Sequence, residues 1–274
     1  MTLKETINTL KISAIAIPTA DRAVRVTGTD AKSWLQGQIS QDMRELSESH
    51  SIIGCLCNPK GHIQTILHLY QTGSELITIT PHPEILLHRI EEFVIMEDVS
   101  ASLIQEPVSS IQGATATGHF ARNRYGHGGF DTIEISNQSH IPTVQSDALE
   151  IAAGIPRFGI EIGNKTLPPE LGPAFEQTTI SYTKGCYVGQ EVIHRIHSRG
   201  HTNKTWVGLI ANQPFIQTTV THNGIDVGTI HRSAEHPDFG FIASATLKNV
   251  AIAPGTQVEI GDVTATVKQM PLLG

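Results

Sequence analysis

The chain has 274 residues, 39% hydrophobic and 16% charged, with 26 acidic against 19 basic side chains and a formal net charge of −7. That balance excludes a disordered chain and a protein that binds nucleic acid through bulk charge, and the length predicts about two domains. Three cysteines, at 55, 57 and 186, are too few and odd in number for a disulfide framework. They predict a reducing, cytoplasmic setting, and no apolar run reads as a signal peptide or approaches the roughly 18 residues of a membrane span.

In chain order, "SAIAIPTADRAVRVTG" reads as two strands around a turn, with Val24 and Val26 alternating against Arg22 and Arg25. "TDAKSWLQGQI" reads as a helix with Thr29 or Asp30 as its cap. "SIIGCLC" and "HIQTILHLY" flank an Asn-Pro-Lys-Gly turn and predict a hairpin, in which Cys55 and Cys57 share a face and pack. "ELITIT" is a further strand, and Ile85, Leu86, Ile90 and Phe93 form one stripe of a helix begun near Pro81 or Pro83.

Residues 101–146 carry only short strand signals. "DALEIAAGIPRFGIEI" predicts a short helix capped by Asp147 and stopped by Gly154, and the prolines of "GNKTLPPELGPAFEQ" predict a loop. From Trp206 onward the helical period disappears. Regularly spaced strands with Asn223-Gly224 and Pro254-Gly255 turns predict a small all-β module on an α+β body.

"KGCYVGQEVIHRIHSRG", residues 184–200, holds the densest positive charge. From Lys184 to Lys204 four Lys or Arg face one acid, Glu191, for a local charge of +3 before any histidine protonates. A thiolate is favoured by a nearby cation or a helix N-terminus. Cys186 follows Lys184 by two residues and precedes a helix expected from about Val188, whose free amides would also suit an anion. A buried, inert cysteine and a merely solvated basic face are the competing readings. His194 and His197 stand at metal-ligand spacing without a third ligand, so no metal site is assigned.

"KGCYVGQE" resembles the K-G-C-[YF]-x-G-Q-E signature of the YgfZ-type folate-binding proteins. "GTDAKSWLQGQISQD", "CNPKGHI", "AAGIPRFGIEI" with "LPPELG", and "HRIHSRG" resemble their other conserved stretches in order, so the likeness runs from about residue 22 to 250. That family is similar to the T-protein of glycine cleavage, a tetrahydrofolate-dependent aminomethyltransferase. The T-protein's G-G-x-x-D-D acidic pair corresponds here to "KGHIQTIL", which puts Gln64 and Thr65 where carboxylates would be. An amide and a hydroxyl cannot exchange a proton at neutral pH as a carboxylate does, so glycine cleavage is not expected.

The resemblance implies an α+β fold of two intertwined α+β domains within residues 1–204, with a C-terminal β-barrel over 205–274, as a ring around a central folate cavity. It implies tetrahydrofolate as cofactor and a role in supporting four-iron cluster enzymes, including radical enzymes that modify tRNA. Cys186 is then the functional thiol. Lys184, Arg195 and Arg199 are expected at the rim or holding the loop, and Tyr187 beside the pocket. Gly185 and Gly189 would turn the backbone sharply, while Gln190 and Glu191 brace the first helical turn. Expected partners are folate and iron–sulfur client or assembly proteins, with no direct nucleic acid, no membrane and a monomeric state. A folate-dependent one-carbon transferase or demethylase is the alternative, with Asp42, Glu97 or Asp98 supplying the proton chemistry. A scaffold with vestigial folate is the third.

Overall fold

The computed structural model describes residues 1–133 and 143–273, apart from the side chains at positions 143, 144 and 199. The chain opens with α1 (Leu3–Ile12), a helix the sequence reading did not anticipate. Its start is fixed by a capping box, in which Glu5 N donates to Thr2 Oγ1 and Thr2 N donates to Glu5 Oε2. The strands β1 (Ile15–Pro18) and β2 (Arg22–Thr27) follow, then α2 (Ala31–Gln36). Next come β3 (Ile52–Cys57), β4 (Ile63–Thr72), β5 (Glu75–Thr80) and α3 (Pro83–Phe93), with Pro83 at a position where its missing N–H costs nothing.

The middle third supplies β6 (Ser100–Leu103), β7 (Ser109–Gln112), β8 (Phe120–Ala121), β9 (Gly129–Thr132) and α4 (Thr143–Ala153). Asp147 lies inside α4 rather than at its cap, and it pairs with Arg157 at 2.6 Å. Gly154, at φ +68°, ends that helix. The segment expected to be a loop contains a short 3-10 helix (Pro168–Leu171) and α5 (Pro173–Thr179). Both begin on prolines, which suit the first helical turn as well as they suit a loop. The helix α6 (Gln190–Arg199) precedes the last six strands.

Those six, β10 (Lys204–Ala211), β11 (Thr219–His222), β12 (Ile225–His236), β13 (Gly240–Lys248), β14 (Gln257–Ile260) and β15 (Val263–Lys268), form a closed barrel in the order β10-β13-β12-β11-β14-β15. Closure comes from β15 pairing back onto β10, with Leu209 opposite Val267. Asn223 and Gly224 both take positive φ, 53° and 75°, which gives the twist a two-residue hairpin requires. Val207, Leu209, Val220, Val258 and Val267 fill the interior. Residues 269–273 leave the barrel and return to the body, where Leu272 N and Leu273 N donate to Ala152 O.

Two antiparallel sheets carry the body. One has the order β3-β4-β5-β2-β6, the other β1-β7-β9-β8. The consecutive strands β1 and β2 belong to different sheets, so the two halves of the body are interleaved. Leu56, Leu67 and Leu69 face Trp34, Leu35, Leu86 and Ile90 of α2 and α3. On the opposite face Cys55, Cys57 and Ile66 pack with Tyr187, Ile193 and Trp206. Cys55 and Cys57 share a face and pack, as the period of the strand requires. No helix among the described residues is long and apolar enough to cross a membrane.

Candidate functional site

The residues 184–189 form a loop between α5 and α6, docked on the segment that follows α2. Val188 N donates to Gly37 O at 3.2 Å, and Ser181 N to Ser40 O at 3.0 Å. Lys184 is buried, and its Nζ donates to the carbonyls of Gln36, Ile39 and Gln41 at 2.6, 2.7 and 2.8 Å. All three ammonium protons are therefore committed. Burial pushes its pKa down to about 8. Of the two roles expected for Lys184, rim cation or loop brace, this geometry is that of the brace.

Gly189 sits at φ +88°, and a Cβ there would lie 2.7 Å from Asn58 O. Only glycine permits the loop to cross the hairpin turn so closely. Gly185 is different. It does not adopt a left-handed φ and meets nothing within 4 Å, so the sharp turn expected there does not occur. Tyr187 is buried in the second core, with Lys184 Nζ 5.1 Å from its ring centroid. Gln190 and Glu191 occupy the first turn of α6, which starts two residues later than Val188. Gln190 Nε2 and His194 Nε2 lie 3.2 Å apart. Arg195 is exposed on α6, and the Arg199 side chain lies outside the described residues.

Cys186 is exposed, whereas Cys55 and Cys57 are fully buried. Burial pushes the Cys55 thiol up to about 12 and Cys57 well above its ordinary value. Exposed and carried on a loop between helices, Cys186 alone is accessible for thiol chemistry. His197 stacks on Tyr182 at 3.6 Å between centroids, and Tyr182 donates its hydroxyl to Glu176. No group of three or more His, Cys, Asp or Glu placed to hold a metal ion occurs among the described residues.

A cavity of about 670 Å³ opens beside this loop. Its wall brings together Gln38 after α2, Asn58 and Pro59 of the hairpin turn, Gln64 of β4, Ile85, His88, Arg89 and Phe93 of α3, and Val188 of the signature loop. Thus three of the stretches quoted from the sequence, "QGQ", "CNPKGHI" and "KGCYVGQE", meet at one place. Arg89 is the element the sequence reading missed. It is buried on α3, donates to Gln64 Oε1 at 2.7 Å, Cys57 O at 3.1 Å and Gln38 Oε1 at 3.3 Å, and lies over the Phe93 ring. Its position one residue before Ile90 on a helix with a buried stripe was the available signal.

The residues matching the T-protein acids diverge. Thr65 is buried and shares a 2.7 Å hydrogen bond with Thr80, while Gln64 faces the cavity. The other acids considered lie elsewhere. Asp42 pairs with Arg44 at 2.6 Å, Glu97 accepts from Ile95 N and Met96 N, and Asp98 accepts from Thr29. Glu84 and Glu92, both exposed, are the carboxylates that line the cavity.

No family model matches the chain. The tRNA-modifying protein YgfZ of Hamiltonella defensa is 30% identical over 220 residues, which is 66% of this chain and 65% of that protein. The protein of the same name from Colwellia psychrerythraea is 24% identical over 269 residues, 83% of each chain. The chain therefore spans just under two thirds of the Hamiltonella relative's length. Among solved structures, the glycine cleavage system aminomethyltransferase T from Bartonella henselae superposes with a TM-score of 0.80, covering 98% of this chain and 89% of that one at 16% identity. That likeness is one of fold.

Proposed function

Since the chain is of the YgfZ type, built on the fold of the glycine cleavage aminomethyltransferase, we propose that it is a tetrahydrofolate-binding accessory protein supporting iron–sulfur enzymes that modify tRNA. Its relatives' name, tRNA-modifying protein, motivates the setting. The single observation that carries the reading is the placement of an exposed thiol, Cys186, two residues from Val188 in the wall of the 670 Å³ cavity.

The cavity fits a reduced folate in kind. Its size lies within the roughly 300–1,000 Å³ of small-molecule sites. Ile85, Phe93, Pro59 and Val188 offer apolar contact for a pterin and a benzoyl ring, while Gln38, Gln64 and Asn58 offer amides to their polar edges. A reduced folate, when bound, would supply a carrier nitrogen for one-carbon groups. Gln64 cannot donate or take up a proton there as a carboxylate would, which favours binding over aminomethyl transfer. Lys184 and Gly189 hold the loop, and Cys186 faces outward for a partner protein.

The reading places the protein in the reducing cytoplasm as a monomer, with iron–sulfur client or assembly proteins as partners and no direct contact with nucleic acid. Complementation tests it. In cells lacking the endogenous relative, the wild-type chain should restore cluster-dependent tRNA modification and Cys186→Ser should not. Full restoration by Cys186→Ser would remove the thiol from the proposal.

A further inference from the structure

Gln64 interrupts its strand. In the β3–β4 pairing Leu56 faces Thr65 and Cys57 faces Ile63, which leaves Gln64 as the extra, unpaired residue of a β-bulge. A bulge gives up regular pairing and re-aims one side chain. Arg89 of α3 clamps this one. Its Nη2 donates to Cys57 O at 3.1 Å and to Gln64 Oε1 at 2.7 Å, and its Nη1 donates to Gln38 Oε1 at 3.3 Å. Burial opposes the charge on Arg89, while Glu92, which lines the same cavity, favours it. A guanidinium stays protonated in either case.

Because a guanidinium only donates, Gln38 and Gln64 must turn their oxygens to Arg89 and their NH₂ groups away from it. Asn58 is set the same way by the hairpin turn, since its Oδ1 accepts from Lys60 N at 2.9 Å and His62 N at 3.1 Å. The three NH₂ groups have no protein partner among the described residues, and all three side chains line the cavity. A free glutamine amide can rotate to offer a ligand either end. These two cannot. The wall of Gln38, Asn58 and Gln64 therefore offers donors, while the exposed Glu84 and Glu92 supply carboxylate acceptors to the same cavity.

We infer that Arg89 is a positioning residue: on the folate reading above, which sets ring edges and the carrier nitrogen against these amides, it turns Gln64 to donate a hydrogen bond to a lone pair of that nitrogen. Gln64 gives a hydrogen bond there and no proton, so the lone pair is held and does not take up a one-carbon group while the ligand is bound. The wall selects ligands whose nitrogens carry a free lone pair, and it gives no advantage to an analogue with carbon in their place. Arg89 acts through the amides and need not touch the ligand.

Calorimetric titration tests it with two ligands: tetrahydrofolate and its dideaza analogue, which keeps the rings, the oxo group and the tail but has carbon at both carrier positions. The wild type should bind tetrahydrofolate about 3- to 10-fold more tightly than the analogue, the span of one neutral hydrogen bond. Gln64→Met removes the donor at similar volume, and Arg89→Met keeps Gln64 but frees its amide to rotate. Each should bring the ratio of the two affinities close to one by weakening tetrahydrofolate alone. A merely structural Arg89 would weaken both ligands equally and leave the ratio at its wild-type value. That result, an unchanged ratio in Gln64→Met, or a wild-type ratio near one would overturn the inference and leave folate binding in place. Should Arg89→Met fail to fold, NMR of the wild type decides. The Gln64 side-chain NH₂ signal, identified by its loss in Gln64→Met, should shift with tetrahydrofolate and not with the analogue, and equal shifts would overturn the inference. No binding of either ligand by the wild type would sink the folate reading and the role of Arg89 with it.

Discussion

Lys184 Nζ lies 2.7 Å from the Ile39 carbonyl oxygen, and that contact joins the signature loop to the end of the helix α2. With the Gln36 and Gln41 carbonyls on the same ammonium, the lysine satisfies acceptors that would otherwise be stranded where the chain turns away from α2. Lys184→Met is therefore expected to destabilise the fold by about 3 kcal/mol, on the basis that each stranded buried acceptor costs roughly 1–3 kcal/mol. Urea unfolding checks this. An unchanged midpoint would return Lys184 to the rim.

The barrel is latched to the body through Arg232, whose Nε donates to Glu161 Oε1 at 2.7 Å while Ser244 Oγ donates to the same oxygen at 2.6 Å. Arg232 also pairs with Glu150 on α4 at 2.8 Å. Glu161→Ala removes one partner of a buried pair, and about 3–5 kcal/mol of stability is expected to go with it. Thermal unfolding followed by calorimetry reads the loss. A variant as stable as the wild type would show that the latch carries no net energy.

The thiols should separate cleanly by reactivity. In native protein one cysteine, Cys186, is expected to react rapidly with an aromatic disulfide reagent, with Cys55 and Cys57 following only in denaturant. Cys186→Ser should abolish the fast phase and shift stability by no more than about 0.5 kcal/mol, as for an ordinary surface position. Fast labelling of two or three thiols would contradict the buried placement of the β3 pair.

Acid sensitivity should centre on Asp21. Burial alone would raise its carboxyl pKa, but Arg122 and Arg124, at 2.7 and 2.8 Å, outweigh that and hold it well below the usual carboxylate range. A carboxyl depressed in the folded state contributes stability above its unfolded pKa of about 3.9 and loses it as pH falls further. The free energy of unfolding should therefore decline below about pH 4, with a shallower slope in Asp21→Asn. Equal slopes in the two proteins would remove Asp21 as the source.

Much of the architecture was legible because its signals are local. The Asn-Pro-Lys-Gly hairpin, the Pro83 helix and the strand-and-turn rhythm after Trp206 each follow from residues near one another in the chain. Two helices escaped for a similar local reason. Thr2 and Glu5 form a capping box at the first turn of α1, a signal that needs only four residues and no apolar period, and the prolines of α5 fit a first helical turn as well as a loop. Interleaving was not legible from periodicity, because nothing in "SAIAIPTADRAVRVTG" says that its two strands enter different sheets. The site shows the same division. Cys186 and Gly189 stand out in the sequence, whereas Arg89 draws its meaning from Gln38 and Gln64, which lie 51 and 25 residues away. In the sequence Lys184 fits a rim cation and a loop brace equally, and only the carbonyls of Gln36, Ile39 and Gln41 around its ammonium favour the brace.

The proposed binding of a reduced folate in the cavity beside the Cys186 loop can be read by methyl-resolved NMR during titration with tetrahydrofolate. Saturable shifts should appear at Val188 and Ile85, which line the cavity, while Val220 and Val258 inside the barrel stay fixed. Absence of saturation, or shifts confined to the barrel, would rule out folate in this cavity.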